Sequence, residues 1–173
     1  MRISIFGMGY VGAVAAGCLC RDGHEVIGVD PAQVKVDLIN RGQTPVIEAE
    51  IGEIIAHATR DRMLRATTDV RAAVRESEMS MICVGTPSQL NGNLDLRYVR
   101  HVCEEIGAAL RDKPDFHVVV ARSTMLPGTM RHVVIPTLEE ASGKRAGIDF
   151  GVCNNPEFLR EGTAVYDYYH PPK

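Results

Sequence analysis

The chain has 173 residues, 45% of them apolar and 24% charged, with a formal net charge of −3. A fold of about 150 residues buries roughly 70% of its unfolded surface, so one domain with a real core is expected, and disordered, fibrous and low-complexity classes are excluded. Without a lysine-arginine block, the charge balance argues against a nucleic-acid or anionic-membrane partner.

In chain order, a β-branched run at 3–6 predicts the first strand. The small, apolar stretch 11–21 predicts a helix. A second strand is expected over 25–29, and a helix over 31–41 begins with Pro31, a good first helical residue. Residues 43–50 read as a loop and 64–67 as a weaker strand. The strand 80–84 runs into a second long loop, 85–95. Asp95 is then a plausible N-cap for a helix over 96–110. Further strands are expected at 117–121 and, more weakly, at 149–153. Strands that alternate with helices form right-handed crossovers, so the fold class is α/β, a Rossmann-type, doubly wound, mostly parallel sheet. Ligands of such sheets bind at the carboxyl ends of the strands.

Cys18, Cys20, Cys83, Cys103 and Cys153 are odd in number and show no paired C-x-x-C spacing. Neither a disulfide framework nor a zinc or other metal site is indicated, and buried, inert thiols are the expectation for all five. The start reaches Gly7 after a few apolar residues, too few for a signal-peptide core or a membrane span. A reducing, cytoplasmic location is expected.

Gly7-Met8-Gly9-Tyr10-Val11-Gly12 matches G-x-G-x-x-G directly after the first strand. Gly7 permits a tight turn, Gly9 leaves room for a pyrophosphate and Gly12 lets the helix pack close to the strand. Backbone N–H groups at Tyr10 and Val11 would then face the phosphates at the positive end of the helix. Asp30 ends the second strand about 20 residues further on, where a carboxylate accepts hydrogen bonds from an adenosine ribose. By itself it reads equally as a helix cap. Two charges about 4 Å apart repel by about 1 kcal/mol in water and several times more at an effective dielectric of about 20. A 2′-phosphate is therefore disfavoured beside Asp30, and NAD is expected rather than NADP. Lys35, one turn into the next helix, reads from pattern alone as a solvated surface lysine.

Thr86, after the strand 80–84, and Thr124, after the strand 117–121, stand where the nicotinamide end of NAD should lie. Their structural alternatives are a turn at Thr86-Pro87 and a Ser123-Thr124 cap for a helix after Pro127-Gly128. Asn155 and Pro156 predict a helix start, which would set Glu157 and Glu161 on one face. Such carboxylates either complement a helix dipole or do acid-base work.

Gly7 to Gly12, Val84-Gly85-Thr86-Pro87, Arg122-Ser123-Thr124 with Pro127-Gly128-Thr129, and Asn155-Pro156-Glu157-Phe158-Leu159-Arg160-Glu161 resemble, in order and spacing, the UDP-glucose/GDP-mannose dehydrogenases. Gly85-Thr86-Pro87-Ser88, Asn91-Gly92-Asn93-Leu94-Asp95-Leu96 and the ending 167–172 are similar to the GDP-mannose branch, which makes GDP-mannuronate for alginate. The resemblance implies oxidation of a sugar C6 alcohol to a carboxylate with two NAD in sequence, acting on GDP-mannose or, alternatively, UDP-glucose. It implies NAD binding through Tyr10, Val11, Asp30, Lys35, Thr86 and Thr124, which turns Lys35 into a cofactor residue. It also implies that Glu161 touches substrate and the hydrolytic water, that Thr124 positions this water, and that Glu157 is a second catalytic candidate. A homodimer is implied for the full-length enzyme. Glu48-Ala49-Glu50-Ile51 departs from the family's Glu-Pro-Gly-Leu, leaving that turn's geometry open.

Oxidising an aldehyde through a covalent adduct needs a thiolate. The family's Gly-Gly-Ser-Cys-like motif and its assisting lysine do not occur in these 173 residues. The chain thus reads as an NAD-binding domain, 1–173, from the N-terminal part of a longer enzyme. A non-catalytic NAD-sensing module or a hydroxyacid dehydrogenase would need the glycine loop and Asp30 but not the segment 155–161.

Overall fold

A computed structural model describes residues 1–90 and 92–171; Asn91 and Pro172, which enter the family resemblance, and Lys173 lie outside the described residues. The chain opens with β1 (Arg2–Phe6), α1 (Tyr10–Arg21), β2 (Glu25–Val29), α2 (Gln33–Asn40), α3 (Ile51–Arg60), β3 (Leu64–Thr67), α4 (Val70–Glu76) and β4 (Met79–Ile82). It continues with α5 (Arg97–Arg111), β5 (Val118–Ala121), a π-helical turn (Met130–Val134) leading into α6 (Ile135–Ser142), β6 (Gly151–Asn154) and α7 (Ala164–Tyr169).

The strands form one sheet in the order β3-β2-β1-β4-β5-β6, and every pairing is parallel. This order reverses direction between β1 and β4, the position at which doubly wound sheets open a crevice. Alternation along β1 sends Ile3 and Ile5 to one face, where they pack with Val14, Val36 and Ile55 from α1, α2 and α3. Phe6 goes to the other face, with Val74, Ile106 and Leu138 from α4, α5 and α6. Helices therefore cover both faces, which a parallel sheet of apolar strands requires.

The expected strands all form, with ends shifted by one or two residues, and the loops 43–50 and 85–95 are loops, the second closed by an antiparallel bridge between Ser88 and Leu94. Five expectations are corrected. The second helix begins at Gln33 rather than Pro31, because Asp30 Oδ1 accepts the Ala32 N–H at 2.9 Å and makes a turn before it. The fifth begins at Arg97 behind Leu96; Asp95 accepts the Arg97 N–H at 3.0 Å from one position further out.

No helix starts at Asn155. Its N–H bonds Ala121 O at 2.9 Å, prolonging the pairing of β6, and its side-chain oxygen accepts from Arg122 Nη1, so it cannot cap. Residues 155–160 are irregular, and Glu157 and Glu161 share no helix face. Ser123 and Thr124 cap no helix either. The Ser123 hydroxyl donates to Val84 O at 2.6 Å, and the turn at Met130 starts behind Thr129. Finally, Cys153 is exposed, being on the edge strand β6, whereas Cys18, Cys20, Cys83 and Cys103 are buried as expected.

Candidate cofactor and active site

The glycine loop crosses from β1 to α1 at the carboxyl end of the sheet. Gly7 has φ +94°, a left-handed conformation that favours glycine, and its N–H bonds Val29 O at 2.8 Å. A Cβ on Gly12 would lie 1.9 Å from Gly7 O, so close packing of helix on loop requires this glycine. A Cβ on Gly9 would meet nothing within 4 Å. The space above the start of α1 is thus kept open by sequence, as a pyrophosphate needs.

Asp30 is 4% exposed at the end of β2. Its Oδ2 accepts from Met8 N and from Lys35 Nζ, both at 2.9 Å, while Oδ1 accepts from Ala32 N at 2.9 Å. Lys35 is therefore half of an ion pair with Asp30 rather than a free surface cation. A carboxylate offers about four lone-pair sites, so one remains for a ribose hydroxyl. Asp30, Lys35, Gly7, Gly9, Val84 and Gly85 line a cleft of about 380 Å³, together with Thr68, Val70 and Tyr98. Its mixed polar and apolar wall suits a nucleoside.

A second lobe of about 190 Å³ shares Cys83, Val84 and Gly85 with the first and is lined further by Val11, Thr86, Arg122, Thr124 and Glu157. The Thr86 hydroxyl donates to Thr124 O at 2.7 Å, joining the loops after β4 and β5. Glu157 is half-buried, with Oε2 accepting from its own Leu159 N–H at 2.8 Å. Glu161 is exposed in the turn before α7 and does not line this lobe. The arrangement therefore gathers Val11, Thr86, Thr124 and Glu157 at one end of the crevice, and Asp30 and Lys35 at the other.

The thiol nearest the crevice is Cys83. Burial pushes it up to about 12, and burial likewise raises Cys18 to about 11 and Cys20 and Cys103 to about 12. These four thiols stay protonated at neutral pH and are poor nucleophiles.

Two side chains had no assigned role in the sequence. Arg122 donates to Asn155 and lies 5.6 Å from the Tyr168 ring centre. Glu48 binds Tyr10 and the backbone of Gly162 and Ala164. Both partnerships cross at least 33 residues, so no local spacing announces them. Tyr10, for its part, has its phenol raised by burial and by the bond to Glu48.

The profile of the UDP-glucose/GDP-mannose dehydrogenase family, NAD binding domain, matches residues 1–173. GDP-mannose 6-dehydrogenase of Azotobacter vinelandii is 60% identical over 172 residues, which are 99% of this chain and 39% of that protein. UDP-glucose 6-dehydrogenase AglM of Haloferax volcanii is 41% identical over 173 residues, 100% of this chain and 40% of that protein. A crystallised ternary complex of GDP-mannose dehydrogenase from Pseudomonas aeruginosa superposes with a TM-score of 0.98 at 57% identity, covering 99% of this chain and 39% of that one. The chain thus spans about two fifths of the length of these relatives. Among the described residues no helix is long and apolar enough to cross a membrane. With the glycine loop, Asp30 and the switch-point crevice in place, the chain belongs to the UDP-glucose/GDP-mannose dehydrogenase family, as its NAD binding domain.

Proposed function

We propose that these residues are the cofactor-holding, N-terminal part of a longer, cytoplasmic and dimeric GDP-mannose 6-dehydrogenase that makes GDP-mannuronate for an alginate-type polysaccharide. One observation carries the reading: a lobe walled by two threonine loops and a carboxylate, in a chain more similar to the GDP-mannose enzyme than to the UDP-glucose enzyme. Domain boundary, location and dimer rest on the same kinship.

Gly7, Gly9, Tyr10, Val11 and Gly12 cradle the pyrophosphate, and Asp30, with Lys35 beside it, holds the adenosine ribose. Thr86 and Thr124 hold the nicotinamide end. Bound NAD would supply the hydride acceptor: over the whole reaction two hydrides would leave the C6 carbon, one for each of two NAD, water would supply the second carboxylate oxygen and three protons would be released. Thr124 orients that water and Glu161 contacts the sugar, with Glu157 set to polarise groups inside the lobe. Glu161 reaches the sugar only if substrate or further protein extends the crevice past its turn.

The purified 173-residue chain is expected to bind NAD by calorimetry, yet with GDP-mannose or UDP-glucose it should give no NADH absorbance above a control lacking protein. Turnover by this chain alone would overturn the reading and assign the chemistry to one of its own cysteines. In a full-length enzyme carrying this segment, GDP-mannose should be oxidised in preference to UDP-glucose. Glu161→Gln should slow that turnover at least tenfold without lowering the melting temperature.

A further inference from the structure

Glu48 lies on the loop between α2 and α3, outside every motif of the cofactor site. Its half-buried carboxylate nevertheless joins three separate segments. Oε2 accepts from the Tyr10 hydroxyl and, at 2.8 Å, from the Gly162 N–H; Oε1 accepts the Ala164 N–H at 3.1 Å. Tyr10 begins α1 within the glycine loop, and Gly162 directly follows Glu161. The Tyr10 hydroxyl also reaches Arg160 O at 3.3 Å, so both sides of Glu161 are tied to the same tyrosine-carboxylate pair. Burial alone would raise the Glu48 carboxyl, but the bonds from Tyr10, Gly162 and Ala164 outweigh it and hold the group below its ordinary value. It is charged at neutral pH, and charged acceptors make the stronger bonds.

We propose that Glu48 is a positioning residue through which NAD in the glycine loop orders the segment 160–164 that carries Glu161. The mechanism is a chain of contacts. A pyrophosphate on the Tyr10 and Val11 N–H groups fixes the first turn of α1; the Tyr10 ring then holds Glu48, and Glu48 holds the amides on the far side of Glu161. Coupling of this kind is reciprocal, so an ordered arm also tightens NAD binding. The inference rests on the proposed contact between Glu161 and the sugar for its catalytic meaning, while the coupling itself requires only NAD and this chain.

Hydrogen exchange of the purified chain, with and without saturating NAD, reads the coupling at the Gly162 and Ala164 amides. NAD should slow their exchange about tenfold, equivalent to about 1.4 kcal/mol. Glu48→Gln keeps the size and one acceptor oxygen but loses the charge. It should abolish most of the NAD-dependent slowing and weaken NAD three- to tenfold by calorimetry. Tyr10→Phe should do the same, and the double variant should be no worse than either single one. Should Glu48→Gln fail to fold, Tyr10→Phe carries the test. A purely structural Glu48 would raise exchange equally with and without NAD, and that result overturns the proposal. So does NAD binding that leaves exchange of the arm unchanged, which would leave the cofactor assignment standing; absence of NAD binding would sink both.

Discussion

The two ends of the sheet carry polar side chains for opposite purposes. At the amino end, Ser4, Ser77, Ser80 and His117 are at most 1% exposed. Ser4 Oγ lies 2.8 Å from Ser80 Oγ and 3.0 Å from Ser77 Oγ, and Ser80 Oγ lies 2.8 Å from His117 Nε2, while His117 Nδ1 is buried without a hydrogen-bond partner among the described residues. At the carboxyl end, Asp30, Thr86 and Glu157 bond mainly to backbone of the loops around them, and with Thr124 they border open space. A buried polar network acts on folding and packing, whereas polar groups with spare lone pairs beside a cavity are available to a ligand. Perturbing the first should change folding, and perturbing the second should change binding.

The glycine loop is where this division is sharpest, and it gives the largest expected effect. Gly12→Ala forces a Cβ against a backbone oxygen, with no flexible side chain to move aside, and should cost about 3 kcal/mol or more in urea unfolding. Gly9→Ala, three residues earlier, should leave the melting temperature almost unchanged while weakening NAD at least tenfold, since its methyl group fills only the pyrophosphate space. Equal stability losses for the two would erase the distinction between packing and ligand glycines.

Acid tests the amino end. Burial, with the Lys113 charge nearby, pushes the His117 imidazole down to about 4 from its ordinary 6.5. The unfolded chain therefore takes up a proton below 6.5 that the folded chain refuses until about 4, so stability is full above 6.5 and falls through that window. The loss amounts to about 3 kcal/mol once both states are protonated. Unfolding free energies should already decline between pH 6.5 and about 5, ahead of most carboxylate titration, and His117→Gln should flatten that decline. An unchanged slope in the variant would remove His117 from the account.

The smallest effect concerns the loop before α3. Glu50 adopts φ +65°, a left-handed conformation that favours glycine, at the start of α3. An L side chain is strained there, and its ion pair with Arg21 at 3.8 Å joins two largely exposed groups. Glu50→Gly should raise stability by about 0.5–1 kcal/mol, measured as a rise in melting temperature, without altering NAD affinity.

These contrasts also explain what could be read in advance. The placement of the glycine turn and of Asp30 at the end of β2 was legible because both are set by short spacing on a strand-turn-helix unit. Helix α3 carried a readable apolar stripe, Ile51, Ile55 and Ala58, which the departing loop before it masked. The false helix at Asn155 had correct local signals, but Arg122, 33 residues earlier, claims the side chain that would have capped it. Glu48 reaches Tyr10 across 38 residues and Gly162 across 114, and the serine-histidine network spans strands. Partnerships of this length are set by sheet order, which single-sequence periodicity does not encode.

The sheet order has a kinetic consequence too. The first strand pairs β2 at Ile3 and Val26, 23 residues apart, but pairs β4 at Ser4 and Ser80, 76 residues apart. Closing the longer loop costs about 1 kcal/mol more chain entropy. The β1-α1-β2 unit, which already contains the glycine loop and Asp30, is therefore the cheapest nucleus, whereas the lobe bearing Thr124 and Glu157 must wait for β4, β5 and β6 to dock. On a growing chain the segments proposed to hold adenosine emerge before those proposed to hold nicotinamide, so a nascent chain is expected to carry the first part of the proposed cofactor site while the rest is still unmade.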